Sequence, residues 1–322
     1  MNVLVMKGLT LPEVSAADLA EIEDAAGPGA VVTVVDDEEA AFEPAPSCEV
    51  VLGQMPPSLF ETAKMLRWVH ATSSGIDMFL YPEFRDSDVL LTGEKGLVGG
   101  HLADTGFGLL LAITRRIATA IRLGAANWDA REAMRKQELE LEGMTMGILG
   151  FGGTGRAMAR RAQAFGMSCL AVDEMPILGD ESVEEVWPSS RLPELLAASD
   201  VVAICCPLTA ATKHLFDDAA FAVMKNGAIL VNVTRGEIVD GDALVRALAS
   251  GRLAGAALDV APREPLPADH PLWSFDNVVM TPHTAGASQF RAGRNLARFC
   301  ENLRRYRAGE DLVGLVDKQA GY

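Results

Sequence analysis

Long apolar runs are missing from this chain, and so are most of the residues that build disulfide frameworks, metal clusters and nucleic-acid surfaces. The longest apolar stretch, around "FGLLLAI", stops at Thr114, Arg115 and Arg116, too short to span a bilayer. The opening "MNVLVMKGLT" carries no apolar segment of signal-peptide length. Five cysteines, Cys48, Cys169, Cys205, Cys206 and Cys300, lie scattered without a C-x-x-C pair. That spacing argues against a zinc site or a disulfide scaffold and predicts reduced core thiols in a cytoplasmic protein. Basic residues are outnumbered: 28 Lys and Arg against 44 Asp and Glu give a formal charge of −16, which repels nucleic acid and an anionic membrane surface alike. No metal, nucleic-acid or membrane partner is therefore expected. An anionic ligand must be held by a local arginine or by backbone N–H groups.

What is present is an ordinary globular composition, 49% apolar over 322 residues, long enough for two modest cores. Short apolar runs alternate with helix-like stretches: "NVLVM", "AVVTVVD", "EVVLG", "RWVHAT" and "DVLLT" before Gly96, then "TMGILG", "SCLAVD", "DVVAICC", "AILVNVT", "AGAALDVA" and "NVVMTP". Runs of about five residues separated by helical segments predict parallel strands joined by crossover helices, hence an α/β fold with two doubly wound parallel sheets. The apolar stretch 99–123 predicts a helix leading from the first series to the second, and "SQFRAGRNLARFCENLRRYRAGE" predicts a closing helix with no strand after it.

In a chain with 30 glycines a bare Gly-x-Gly-x-x-Gly is weak evidence, but here the context adds to it. Gly150, Gly152 and Gly155 follow the strand-like "MGIL" directly and open an alanine-rich helix, and Asp173 ends the next strand. The first glycine permits a tight turn, the second lets the backbone approach a pyrophosphate, and the third lets helix and strand pack closely; the helix N-terminus adds N–H donors. Asp173 is placed to accept hydrogen bonds from ribose hydroxyls. With Asp173 and Glu174 side by side and no adjacent arginine or lysine, a 2′-phosphate is disfavoured and NAD is the expected cofactor.

Three further clusters end strands of the second series: "VNVTRGEIVD" with Arg235, "LDVAPREPLPADHPLW" with Asp259 and Glu264, and "TPHTAG" with His283. Ligands of open α/β sheets bind beyond the carboxyl ends of the strands. Hydride transfer from a nicotinamide to a carbonyl leaves charge on the oxygen that needs a proton from a group titrating near neutrality, and histidine is that group. A carboxylate beside it favours the imidazolium, and a guanidinium offers the planar fork a substrate carboxylate takes.

From "SSGID" onward, and most densely over 141–286, the chain closely resembles the D-isomer-specific 2-hydroxyacid dehydrogenases, on "ELLAASDVVAICCPLTAATKHLF", "MKNGAILVNVTRGEIVD", "EPLPADHPLW" and "TPHTAG". The resemblance implies two Rossmann-like domains, a discontinuous catalytic domain of residues 1–98 and 288–322 around an NAD-binding domain of residues 99–287, and a homodimer. It implies that Arg235 binds the carboxylate and carbonyl of a 2-hydroxy or 2-oxo acid, and that Glu264 and His283 form the acid/base pair. The N–H groups of Ser74 and Gly75 become the carboxylate cradle. Gly150, Gly152, Gly153, Thr154, Gly155 and Asp173 become the cofactor cradle, joined by Pro207, Thr234 and Thr105, with Asp259 on the nicotinamide carboxamide.

Other residues read as structural. His70, His101, His214 and His270 lack catalytic partners in the sequence; Arg263 and Arg291 read as surface ion-pair residues, with contact to the distal end of a substrate as the alternative; Cys205 and Cys206 sit in a buried strand; Trp128 and Trp273 read as packing or interface residues, although pockets of the family sometimes use a tryptophan near the substrate. Where family members often carry Ala-Glu and a longer side chain, this sequence has Ala103, Asp104, Thr105 and Gly106, a change expected to widen the pocket, and "VAPRE" puts Ala261 and Pro262 in place of an aromatic-acidic run. Glyoxylate or hydroxypyruvate reduction is the leading expectation. The alternative is an NAD(H)-sensing interaction protein like the C-terminal-binding-protein co-repressors, which retain the same residues.

Overall fold

The valine- and isoleucine-rich runs become twelve strands in a computed structural model that describes residues 1–322, and every strand pair is parallel. The chain forms two compact units, Met1–Val98 with Ala287–Tyr322, and Gly99–Gly286. No helix is long and apolar enough to cross a membrane.

The first unit holds β1 (Asn2–Met6), β2 (Val31–Val35), β3 (Val50–Leu52), β4 (Trp68–His70) and β5 (Leu90–Thr92), in the order β2-β1-β3-β4-β5. A parallel sheet is covered on both faces, so its strands read as nearly continuous apolar runs. Alternate residues then serve opposite cores. Val3 and Val5 join Ile22, Leu296, Phe299 and Leu303, while Leu4 and Met6 join Leu59, Val69 and Phe84. The closing helix Arg291–Ala308 thus belongs to this first sheet, and each fully buried Phe or Leu it contributes stabilises the unit by about 1.5–3 kcal/mol. It stops at Gly309, whose φ of 70° is the left-handed cap that a glycine adopts without strain.

His70 confirms its structural reading. It is fully buried, and its Nδ1 lies 2.6 Å from the Thr92 hydroxyl, which accepts from the Trp68 indole N–H at 2.8 Å. The hydroxyl has two lone pairs and one hydrogen, so it takes the indole hydrogen and still pairs with His70 Nδ1. Burial, aided by the nearby Arg298 charge, drives the His70 pKa down to about 3.

The second unit holds β6 (Thr145–Leu149), β7 (Ser168–Asp173), β8 (Val186–Pro188), β9 (Val201–Ile204), β10 (Ala228–Asn232), β11 (Leu253–Leu258) and β12 (Val278–Met280), in the order β12-β11-β10-β9-β6-β7-β8. The order reverses between β6 and β9, the switch point at which open α/β sheets take their ligands. The stretch 99–123 is not one helix: Gly99–Thr114 ends, Arg116 takes a φ of 54°, and Ile117–Leu123 starts again. Asp104 binds Arg161 of helix Gly153–Ala164 at 2.7 Å, and Phe107 stacks on Phe165. Gly106 is buried; a Cβ there would meet Met158 Cε at 3.2 Å and Val231 Cγ1 at 3.4 Å. Its smallness lets this helix approach the sheet.

Candidate active site

Tight packing explains why the turn after β6 needs its glycines. Gly150 has a φ of 90°, and a Cβ on it would lie 2.7 Å from the Cys206 nitrogen; on Gly155 a Cβ would lie 2.1 Å from the Gly150 carbonyl. Gly152 differs, because a Cβ there would meet nothing within 4 Å. Its bare backbone faces open space at the start of helix Gly153–Ala164, and no side chain caps that helix. The first N–H groups, from Gly153 and Thr154 onward, are therefore left for an external anion, as a pyrophosphate requires. Asp173, at the end of the neighbouring β7, accepts from the Phe151 N–H at 2.7 Å and the Met175 N–H at 2.9 Å. A carboxylate has about four acceptor positions, so capacity remains for ribose hydroxyls. The residues present fit a dinucleotide.

Around the switch point the sheet also brings Pro207 after β9 and Thr234 after β10. The Pro207 carbonyl accepts from the Thr212 hydroxyl, and Thr234 donates through both its N–H and its hydroxyl to Asn232 Oδ1. Thr105 is half-buried on helix Gly99–Thr114.

The three downstream clusters leave adjacent strands. Asn232, 1% exposed at the end of β10, also donates to the Arg235 carbonyl at 2.9 Å, and Arg235 Nη1 donates to the Thr234 carbonyl at 2.9 Å. The next residue, Gly236, comes so near the following cluster that a Cβ would sit 1.7 Å from the Ala261 carbonyl. The "TRG" and "VAPRE" turns are thus packed backbone to backbone, and Ala261 and Pro262 serve that contact. Glu264 Oε1 accepts from the Ala261 N–H at 3.0 Å, and its Oε2 lies 2.7 Å from His283 Nδ1. A carboxylate can only accept, so Nδ1 carries a hydrogen and Nε2 is the nitrogen free to exchange a proton. Both side chains are exposed, at 44% for His283 and 39% for Glu264.

His283 is held in a left-handed backbone conformation, φ 55°, that costs a residue with a Cβ about 1–2 kcal/mol. What holds it is Asp259. The Asp259 carbonyl accepts the His283 N–H at 2.7 Å; its Oδ1 accepts from the Thr281 hydroxyl at 2.6 Å and the Thr284 N–H at 2.9 Å, and its Oδ2 from the Ala285 N–H at 2.9 Å. Asp259 is 1% exposed, and most of its acceptor capacity goes to the histidine turn. Neither this role nor that of Asn232 was read from the sequence, although each is a polar residue where a buried strand ends, and that was a usable signal.

In the first unit, Ser74 and Gly75 lie in the turn after β4, and neither N–H meets an acceptor in the protein. Consecutive free N–H groups in a turn make an anion-binding concavity. Arg291, read as a surface residue, instead pairs with Glu94, whose side chain has no exposure. Cys205 and Cys206 are held as thiols: burial pushes the Cys205 pKa up strongly and that of Cys206 to about 12. His214 is exposed, and His270 caps the turn Pro271–Ser274 by accepting from Leu272.

Comparison with known proteins agrees with this geometry. Residues 107–285 match the model of the D-isomer specific 2-hydroxyacid dehydrogenase NAD binding domain. The chain is 37% identical over 265 residues to a glyoxylate reductase of Korarchaeum cryptofilum, covering 81% of this chain and 79% of that protein. It is 34% identical over 267 residues to a hydroxypyruvate reductase of Thermotoga maritima, covering 82% and 80%. Among solved structures, an NADPH-dependent glyoxylate/hydroxypyruvate reductase from Sinorhizobium meliloti, in complex with NADP and sulfate, superposes with a TM-score of 0.82 at 26% identity, covering 100% of both chains.

Proposed function

Since the chain belongs to the D-isomer-specific 2-hydroxyacid dehydrogenase family, and so is an oxidoreductase acting on CH–OH donors with a nicotinamide cofactor, we propose that it interconverts a small D-2-hydroxy acid and its 2-oxo acid with NAD(H). The observation that carries this is the His283–Glu264 contact at 2.7 Å, set one strand away from an arginine at the same edge of the sheet. Glyoxylate and hydroxypyruvate are the leading substrates, as the names of the relatives suggest.

Held by the Gly150–Gly155 turn and Asp173, a nicotinamide cofactor would supply or accept the hydride, and the protein's own residues do the rest. Arg235 takes the substrate carboxylate and carbonyl oxygen through its planar fork. As negative charge grows on the carbonyl oxygen, His283 Nε2 delivers a proton, and Glu264 on Nδ1 stabilises the imidazolium that enters the reaction. In oxidation the neutral ring takes the proton back.

For the cofactor, the reading favours NAD over NADP. Asp173 and Glu174 stand where a 2′-phosphate would arrive, and residues 174–179 contain no arginine or lysine. Arg156, on the cradle helix, is bound to Asp180 at 2.9 Å and to the Leu178 carbonyl at 2.7 Å, so it is not free to receive one. A homodimer is supported by a set of exposed apolar side chains on the second unit, Ile117, Ile121, Trp128 and Trp273 among them, with Trp128 at 76%. Sedimentation at twice the chain mass, reduced to one by Ile121→Asp, is the expected result.

A panel of glyoxylate, hydroxypyruvate, pyruvate and bulkier 2-oxo acids, each with NADH and with NADPH, tests the reading. Turnover with at least one small acid and a kcat/KM for NADH about a hundredfold above that for NADPH, equivalent to about 2.7 kcal/mol, is expected. An NAD(H) sensor would bind NADH and turn over none of them.

A further inference from the structure

Behind the Ser73–Gly75 turn lies a buried charge cluster that the reaction does not use directly. Glu94 follows β5, and its carboxylate is completely enclosed. Arg291, in the first turn of the closing helix, donates to it from Nε at 3.1 Å to each oxygen and from Nη2 at 2.5 Å. One turn further along the helix, Asn295 donates from Nδ2 to Glu94 Oε1 at 3.2 Å. Burial works against the ionised form of Glu94 and pushes its carboxyl up, while Arg291 and Asn295 oppose that. A buried ion pair of this kind is a poor source of stability compared with apolar packing of the same volume, so its presence asks for another reason.

The reason lies in what else the two helix residues touch. Arg291 Nη2 also reaches the Thr72 carbonyl at 3.5 Å, and Asn295 Nδ2 reaches the Ala71 carbonyl at 3.4 Å. The Ala71 N–H is tied to the Thr92 carbonyl at 2.8 Å, and Gly93 passes so near that a Cβ would lie 3.2 Å from the Ser73 carbonyl. The Ala71 N–H and the Ala71 and Thr72 carbonyls, which lead into the turn, are thus held from behind, while the N–H groups of Ser74 and Gly75 meet no acceptor in the protein. Asn295 cannot be turned over to relieve its unpartnered Oδ1, because that would set an oxygen against two acceptors.

We infer that Glu94, Arg291 and Asn295 are positioning residues that preset the Ser74–Gly75 N–H pair for a substrate carboxylate. This rests on the reading of Ser74 and Gly75 given above. The cluster touches neither substrate nor cofactor; it sets the direction of two donors, and a misplacement of about 1 Å at such a site costs up to about a hundredfold.

Oxamate, a non-reducible carboxylate analogue of a 2-oxo acid, is the probe, titrated against the full-length enzyme saturated with NADH and followed by cofactor fluorescence. Glu94→Gln and Arg291→Lys are expected to raise the oxamate Kd, and the KM of the accepted 2-oxo acid, about ten- to a hundredfold, with kcat and NADH Kd much less affected. Arg291→Lys keeps the charge and loses the fork, so it separates geometry from net charge. Should either variant fold poorly, Asn295→Ala removes only the Ala71 and Glu94 contacts and carries the same expectation at the low end of the range. A lowered melting temperature with wild-type oxamate affinity and KM would overturn the inference, leaving the cluster purely structural. Arg235→Lys serves as the reference arm: if it too leaves oxamate binding intact, the carboxylate site is misassigned and the reading beneath the inference fails, whereas loss in Arg235→Lys alone refutes only the positioning role.

Discussion

Asp259→Asn separates two accounts of the most deeply buried acid in the site. The carboxylate receives three hydrogen bonds from the turn that carries His283, two on Oδ1 and one on Oδ2. An asparagine can replace one oxygen but not both. With its oxygen toward Thr281 and Thr284, its NH2 faces the Ala285 N–H, donor against donor, at a residue only 2% exposed. Leaving such a donor unsatisfied costs about 1–3 kcal/mol. That is comparable to the cost of the left-handed conformation at His283, so the turn loses its means of holding φ at 55°. If the whole loss appears as a displaced imidazole, kcat falls about ten- to a hundredfold. The assay is steady-state kcat and KM for the preferred 2-oxo acid, together with NADH Kd by fluorescence. A low kcat with near-normal NADH affinity is expected. A wild-type kcat would refute the reasoning, and so would a loss confined to NADH affinity, which would assign Asp259 to the nicotinamide carboxamide.

Three further outcomes follow from the same geometry. Arg235→Lys keeps a cation but loses the planar fork, so kcat/KM should fall by about a hundredfold or more while NADH Kd stays near its normal value; a near-native enzyme would mean the carboxylate is held elsewhere. Gly236→Ala forces a methyl group toward the Ala261 carbonyl, 1.7 Å from where the Cβ would sit, and should cost about tenfold or more in kcat by separating the arginine and glutamate turns; unchanged kinetics would show that these turns are not coupled. His70 enters the folded state neutral, with its pKa driven from 6.5 to about 3, so the unfolded chain takes up a proton that the folded one refuses. Stability from this group is complete above about pH 6.5 and is lost as the pH falls toward 3, by about 1.4 kcal/mol per unit at most. Urea unfolding of wild type and His70→Asn at about pH 7 and about pH 5 should show the gap between them narrowing on acidification, and a constant gap would contradict a neutral His70.

Both sheets were legible because parallel strands covered on two faces leave uninterrupted apolar runs, and eleven of the twelve strands coincide with such runs. The exception, Val186–Pro188, is a three-residue edge strand ending in proline, a residue tolerated at edges and invisible to any strand pattern. The glycine turn, Asp173, Arg235, Glu264 and His283 were legible for a different reason: each stands where a strand ends, and strand ends are where this architecture collects its chemistry. The break after Thr114 was not, since the residues on either side of Arg116 are equally apolar and only the backbone angle marks the corner. Arg291 was misjudged because its partner lies 197 residues away and an exposed and a buried arginine look alike in sequence. The packing of Gly106 against Met158 was not legible either, because a small residue in a helix does not reveal in sequence which neighbour it admits.

The identity of the product from hydroxypyruvate and NADH tests the central claim most directly, because it demands the activity and its handedness together. Glycerate should form one for one with NADH consumed, as the D enantiomer alone, with the rate collapsing in His283→Ala. Formation of L-glycerate, a racemic product, or an undiminished rate in His283→Ala would contradict the proposed site.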